Sequence, residues 1–322
     1  MLLSFIIPLY NAEAYISKCL NSILNSDVDR KEYEVIVIDD GSIDNGLSVV
    51  RQYEQQYDNI RVLSQTNQGQ SVARNYGIRE AKGEYIWCID SDDYTDSKFL
   101  VFLDLLQSHP SLDIIALQLS MVRENGEKVG LECDQPTVAH NVIMKGREAI
   151  LKGYNPSSVC ALIIRRTLME KNNLYFYEGI THQDVELSYR LMAHAGDVIF
   201  TDYAPYIYVL HPNSTSQSIN PQKKIKYLSD EIIIMRSFTK LADEFKTSDP
   251  ELSSEITKRV KNIHFGMVLN LHNVKKQFAP LGINAAVLRN MKDAGLYPIR
   301  IDLGNWKKNL FKHLLNFEWF VK

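Results

Sequence analysis

Apolar and polar positions alternate in blocks along the first 122 residues. LSFIIP (3–8), EVIVIDD (34–40), IRVLSQ (60–65), EYIWCID (84–90) and LDIIALQLSMV (112–122) are short apolar runs rich in β-branched residues. Between them lie segments with helical spacing: AEAYISKCLNSILNS, a stretch near 44–57, GQSVARNYGIREAKG closed by Gly83, and SKFLVFLDLLQSH. Continuously apolar strands alternating with helices predict parallel β-α units, with helices on both faces of the sheet. Asn11 is placed to cap the first helix.

Beyond residue 122 the alternation loosens. ENGEK reads as a hairpin turn, Gly146–Gly153 as a short helix, and HQDVELSYRLMAHAG (182–196) as a well-marked helix ending in Gly. DVIFTDYAPYIYVLHP (197–212) is strand-rich, SQSINPQ is a polar break, and from Lys223 onward the pattern is helical. The division this predicts is an α/β domain over 1–220 and a helical region over 221–322. No internal repeat or low-complexity tract interrupts either part.

Composition narrows the class. The 322 residues are 45% hydrophobic and 23% charged, with a formal net charge of −3. That balance argues against a nucleic-acid partner and against a disordered acidic chain. Cys19, Cys88, Cys133 and Cys160 lie far apart, without C-x-x-C pairs or histidines at zinc spacing, as expected of reduced, buried thiols. MLLSFIIPLYN lacks a basic lead and is too short for a signal peptide or a span, and no later run offers eighteen unbroken apolar residues. The expectation is a cytoplasmic protein, soluble or resting on the inner face of the plasma membrane.

Ligands of open parallel sheets bind at the carboxyl ends of the strands. Three predicted strands end in polar, turn-forming residues: Pro8-Leu9-Tyr10-Asn11, Asp39-Asp40-Gly41-Ser42 and Asp90-Ser91-Asp92-Asp93. Asp90 and Asp92, two apart in extended chain, share a face and can approach one hard cation; oxygen ligands without Cys favour Mg²⁺ or Mn²⁺. The structural alternative is that Asp92 or Asp93 caps the helix near Ser97. At the second strand end a carboxylate can accept the N3–H of uracil, which cytosine lacks, though Asp-Gly is also a common turn. Tyr10 could stack on a base or sit at the edge of the core. Arg74, one turn inside the third helix, could reach a phosphate or a base, or lie exposed on the helix surface.

The set IIPLYN, VIDDGSIDN, TNQGQSVARNYGI and GEYIWCIDSDD, in this order and spacing, resembles glycosyltransferase family 2 on the GT-A fold. The likeness is close over 1–100 and looser to about 220. It implies a Rossmann-like, mostly parallel sheet flanked by helices. It also implies an inverting enzyme that moves a sugar from a nucleotide donor, commonly a UDP-sugar, with Mn²⁺ or Mg²⁺, in bacterial surface-glycan synthesis. Carried over position by position, Pro8, Leu9, Tyr10, Asp39 and Asp40 would hold the uridine and Arg74 would help at the nucleotide. Asp90-Ser91-Asp92 would be the D-x-D motif, with Asp92 the more direct metal ligand.

Inversion needs one base for the acceptor hydroxyl. In this family it is the Asp of a Glu-Asp pair about a hundred residues past the D-x-D, and here Gln183-Asp184 stands at that distance. The Glu is replaced by Gln, a departure that touches the tuning of the base. Thr181-x-x-Asp184 also resembles a capping box, and Glu186 is the second choice. His211 falls where related enzymes often place a His or Arg that closes over the diphosphate or joins the metal shell; a loop His before Pro could also simply be solvated. No G-x-S-x-G, P-loop or G-x-G-x-x-G occurs, against a hydrolase, an NTPase and a dinucleotide oxidoreductase.

Around residues 305–322, Trp306, Leu310, Leu314, Phe317 and Val321 fall on one helical face with Lys307, Lys308 and Lys312 around it. Such a segment could lie on an anionic membrane, where a lipid-linked acceptor would be found, or dock on the protein itself or on a second subunit. Two other readings remain: a catalytically silent GT-A-like assembly module, for which Gln183 is the only support, and a sugar-nucleotide nucleotidylyltransferase, which would want a Gly-rich basic loop after the first strand. The donor sugar, the acceptor and the linkage are not legible.

Overall fold

The computed structural model describes every residue except 27, 97, 134, 136 and 212–219. Ser97, expected at a helix start, and part of the SQSINPQ break lie outside the described residues. The chain divides into two compact units, Met1–Gly179 with Gln183–His211, and Ile180–His182 with Pro212–Lys322.

The first unit opens with β1 (Leu3–Leu9), α1 (Glu13–Leu24), β2 (Tyr33–Asp39), α2 (Gly46–Gln56), β3 (Ile60–Ser64), α3 (Gln70–Glu80) and β4 (Tyr85–Cys88). β1, β2 and β4 are buried at every position, which is why their sequence is apolar nearly throughout rather than alternating. There follow β5 (Tyr94–Thr95), α4 (Leu100–Ser108), β6 (Leu112–Ala116), β7 (Leu119–Arg123), β8 (Lys128–Glu132), β9 (Ile143–Lys145) and α5 (Gly146–Leu151). The unit is completed by β10 (Leu162–Arg165), α6 (Arg166–Lys171), α7 (Gln183–His194), β11 (Asp197–Phe200) and β12 (Tyr206–Leu210).

Eight strands form the main sheet in the order β3-β2-β1-β4-β10-β6-β11-β9. The strands from β3 to β4 are parallel, as are β6 and β11, while β10 and β9 run antiparallel to their neighbours. The mostly parallel, helix-flanked sheet is the one expected. A smaller sheet, β5-β12-β7-β8, contains the ENGEK hairpin between β7 and β8.

Two local expectations change. LDIIALQLSMV is two strands in different sheets, because Leu117 N–H turns to the Ala161 carbonyl and Gln118 N–H to that of Tyr203. Asn11 does not cap α1; its φ is 51°, and its side chain accepts from Ile43 N–H, so it braces the turn after β2.

One close approach fixes α3 on the sheet. A Cβ at Gly77 would stand 2.5 Å from Ile38 Cδ1 and 2.7 Å from Ile6 Cγ2, so the helix can lie this near β1 and β2 only without a side chain there. Arg74, one turn earlier, is thereby carried into the interior.

The second unit is helical: α8 (Pro221–Ser229), α9 (Glu231–Phe245), α10 (Pro250–Asn273), α11 (Lys275–Phe278), α12 (Ile283–Asp293), α13 (Trp306–Leu315) and α14 (Glu318–Val321). Asn220 and Asp249 cap α8 and α10 through their side chains, each with Pro at the first helical position. Ile232, Met235, Val268, Leu271, Ile283, Leu288, Met291 and Leu315 belong to its buried core. Among the described residues no helix is long and apolar enough to cross a membrane.

Candidate active site

The chain runs β1, β2, β3 to one side of the sheet and then returns to place β4 on the other side of β1. Such a switch point leaves a crevice at the carboxyl ends of the two strands. Here the β1–β4 ladder stops at Ile6 and Cys88, two residues before Pro8, which has no N–H to continue it. A cleft of about 370 Å³ opens there, lined by Pro8, Leu9, Tyr10, Asp40, Asn67, Gly69, Gln70, Ser91 and Asp92 among others. Six of the expected site residues therefore share one cavity, and Tyr10 is half exposed on its wall.

Asp39 and Asp40 are both buried. Asp39 accepts from Ser42 N–H at 3.1 Å, the turn role open to an Asp-Gly pair. Asp40 accepts from Gln65 Nε2 (2.7 Å) and from the Gln68 and Gly69 N–H groups (2.8 Å each), so it holds the loop that leads into α3. Gly69, at φ 94°, makes that entry.

Behind the cleft, Arg74 is fully buried rather than exposed. Its Nη2 donates to Asp90 Oδ1 at 2.5 Å and its Nη1 to Asp184 Oδ1 at 2.9 Å. The guanidinium also stands 5.0 Å from the centre of the Phe176 ring. Burial alone would loosen its proton, but the two carboxylates outweigh that and hold the proton more firmly than in an ordinary Arg. Burial pushes Asp184 above the usual carboxylate range; Arg74 opposes the shift and Asp90 adds to it. Asp184 thus serves Arg74 rather than a capping box, and Thr181 instead donates, through N–H and Oγ1, to Asp230. Gln183 Nε2 donates to Gln70 Oε1 (3.2 Å), and Gln70 Nε2 to Asp90 Oδ1 (2.9 Å). Glu186, the second choice for the base, is buried and paired with Arg190.

The far corner of the site holds Asp92 and His211. His211 Nδ1 is 2.8 Å from Glu124 Oε1, and its Nε2, buried and without a hydrogen-bond partner among the described residues, faces Asp92 Oδ2 at 3.5 Å. A divalent cation suits these residues. One imidazole nitrogen is fixed by a carboxylate, one of the partners that orient metal-binding histidines. Burial and then Asp90 push the Asp92 pKa up, a cost that an added positive charge removes. Among the described residues no three His, Cys, Asp or Glu side chains gather into a complete ligand set. Hard cations that bridge carboxylates to phosphates take much of their shell from substrate and water.

Several participants had no signal in spacing. Asp93 is buried and accepts from Tyr206 Oη (2.6 Å) and Val209 N–H (2.8 Å), tying the D-x-D turn to the strand that leads to His211. Burial, and then Asp90, push its pKa up to about 8. Tyr206 also accepts from Asp90 N–H at 3.1 Å. Gln70 and Asp93 lay within the quoted motifs, whereas nothing in the sequence marks Tyr206 or Glu124.

Residues 4–129 match the sequence model of glycosyl transferase family 2. The uncharacterized glycosyltransferase YibD of Escherichia coli K12 is 31% identical over 266 residues, covering 79% of this chain and 76% of YibD. The chain belongs to glycosyltransferase family 2. This glycosyltransferase is also 32% identical over 193 residues to the poly(ribitol-phosphate) β-N-acetylglucosaminyltransferase TarS of Staphylococcus aureus MW2, covering 58% of the chain but 31% of TarS. To the poly(ribitol-phosphate) β-glucosyltransferase of Bacillus spizizenii it is 43% identical over 103 residues, 31% of the chain and 16% of that protein. It therefore spans less than a third of the length of these two relatives. The crystal structure of S. aureus TarS 1–349 in complex with UDP-GlcNAc matches with a TM-score of 0.62 at 23% identity, covering 94% of each chain, which shows the GT-A fold. In this family 2 glycosyltransferase the first four motifs lie within the matched segment, and Asp184 and His211 lie beyond it.

Proposed function

We propose that this glycosyltransferase moves a sugar from a UDP-sugar to a hydroxyl of a cell-surface glycan or lipid-linked acceptor, with inversion, on the cytoplasmic side. The observation that carries the reading is Arg74, buried between Asp90 of the D-x-D and Asp184. One guanidinium links the nucleotide end of the site to the base. TarS, named for its action on poly(ribitol phosphate) and crystallised with UDP-GlcNAc and with UDP, supports the donor and acceptor classes.

Tyr10 stacks on the base, Pro8 and Leu9 line its pocket, and Asp39 or Asp40 accepts the uracil N3–H. The two carboxylates are not equally free to do so. Asp40 already takes three donors, so Asp39 has more capacity to spare. Asp92 and His211, with Asp90 and Ser91 beside them, would hold Mn²⁺ or Mg²⁺. When bound, the ion supplies charge neutralisation to the departing diphosphate. Asp184 takes the proton of the acceptor hydroxyl as its oxygen bonds to the anomeric carbon and the bond to the diphosphate breaks; UDP leaves, and one displacement inverts the centre. Arg74 favours the ionised form of Asp184 and so offsets part of the effect of its burial. Gln183, tied to Gln70, adds no third negative charge beside Asp90 and Asp184.

The test is calorimetric titration with UDP, CDP and GDP, each with and without Mn²⁺, on the wild type and Asp92→Asn. UDP should bind tightest, with Mn²⁺ strengthening it in the wild type only. A preference for GDP or CDP would overturn the base assignment, and metal-independent binding would remove the ion. Absence of any nucleotide binding would favour the silent assembly module.

A further inference from the structure

We propose that the outward face of α13 and the residues just after it form a docking surface for an anionic lipid bilayer. The inference goes beyond the catalytic reading and does not depend on it.

α13 is apolar on two sides. Leu315 and Phe311 point into the core of the second unit, which accounts for the docked side. Trp306, Leu310 and Leu314 recur every fourth residue on the other side, and Phe317 and Trp319 extend the strip; all five are between 45% and 71% exposed. A helix that has already buried one apolar stripe needs no second one for folding. Of the face expected from spacing, only Val321 is buried. Contiguous large apolar side chains on a surface mark a binding site rather than random exposure.

Charge selects the occupant. Residues 300–322 carry Arg300, Lys307, Lys308, Lys312 and Lys322 against Asp302 and Glu318, a surplus of three positive charges in a chain of net −3. The two carboxylates are engaged locally, Glu318 by Lys292 and Lys322, and Asp302 by Gly304 N–H and Asn309 Nδ2. Lys308 and Lys312 donate to neutral oxygens, Asn262 Oδ1 and the Ile301 carbonyl at 2.7 Å each, bonds that do not neutralise their charge, though Lys312 also interacts with Asp302. An apolar strip with tryptophans near both ends and lysines at its border fits the headgroup boundary of an anionic membrane. A second copy fits poorly: a two-fold contact through this face would set the same lysines against one another. At ten residues α13 lies in the interface plane and does not span.

The experiment is co-sedimentation of the chain with vesicles of phosphatidylcholine alone and of phosphatidylcholine mixed with phosphatidylglycerol, at low and high salt. The wild type should partition into the mixed vesicles about tenfold better than into the neutral ones, and salt should weaken it. The double variant Leu310→Ser/Leu314→Ser, altered only at exposed positions, should lose about tenfold of that partition with an unchanged unfolding midpoint. Equal sedimentation of variant and wild type would overturn the proposal. So would a dimer in analytical ultracentrifugation that the same variant dissolves. UDP titration of the variant reports separately on the active site, so failure of one reading is not failure of the other.

Discussion

Replacing Arg74 by Met tests the site's central ion triad. The substitution keeps much of the buried stem and removes the guanidinium that Asp90 and Asp184 share. Breaking a fully buried ion pair costs ~3–5 kcal/mol. Here Arg74 is 1% exposed but its partners are 26% and 27% exposed, so water recovers part of the loss and ~2–3 kcal/mol is expected. In urea unfolding that is a midpoint shift of about 1 M, for an unfolding slope of about 2–3 kcal/mol/M. The double variant Arg74→Met/Asp184→Asn removes one of the stranded charges and should recover ~1–2 kcal/mol. Arg74→Lys should fall between, since one ammonium keeps the charge but cannot fork to both acids. The same loss should drive the Asp184 pKa further up and shift the acidic limb of transfer to higher pH. Additive single and double variants, within ~0.5 kcal/mol, would refute the claim that Arg74 opposes carboxylate charge.

Three further outcomes are expected. Because burial raises the Asp184 pKa, the proposed base holds its proton at pH values where an exposed Asp is already ionised; transfer should rise with pH through a value above the ordinary carboxylate range, and a pH–kcat/KM profile flat down to pH 4 would contradict this. Glu231 is pushed up to about 7 by burial, from an ordinary 4.5. Its folded form therefore holds a proton that the unfolded chain has lost, and stability should fall between pH 4.5 and 7. Glu231→Gln should abolish that fall and stabilise the protein at pH 8 by ~1–2 kcal/mol, below the ~3 kcal/mol ceiling because the residue is partly exposed and lies in the first turn of α9. Gly77→Ala should lower the unfolding midpoint by a net ~1 kcal/mol: overpacking Ile38 and Ile6 costs ~1–3 kcal/mol, and better helix propensity returns up to ~1. A stabilised Gly77→Ala protein would show that the two isoleucines give way freely.

The strands that build the cleft were legible because each is buried on both faces and so reads as an unbroken apolar run. That same signal misled at LDIIALQLSMV: an apolar run does not show where a strand changes partner, and Leu117 and Gln118 change sheets in mid-run. The strand-end polar residues pointed to the cleft, and Pro8, Tyr10, Asp40 and Asp92 line it together. The placement of Arg74 was not legible. Its spacing in VARN is that of an ordinary helix Arg, and its burial follows from a glycine one turn on and from acids 16 and 110 residues away in sequence. Thr181 and Asn11 sit in good capping sequences but bond to Asp230 and Ile43, partners that no local pattern names. Asp93 reads in sequence as a strand-end carboxylate or a helix cap; its role depends on Tyr206 and Val209, more than a hundred residues later.

Whether Asp184 is the base of a UDP-sugar transferase decides the mechanism, and Asp184→Asn addresses it without intermediaries. UDP release from UDP-sugars in the presence of a cell-surface glycan acceptor, and UDP affinity by calorimetry, would be measured side by side in wild type and variant. The variant should keep UDP affinity within about threefold of the wild type and transfer at a rate lower by at least ~10²-fold. A variant that transfers at the wild-type rate would contradict the assignment of the base.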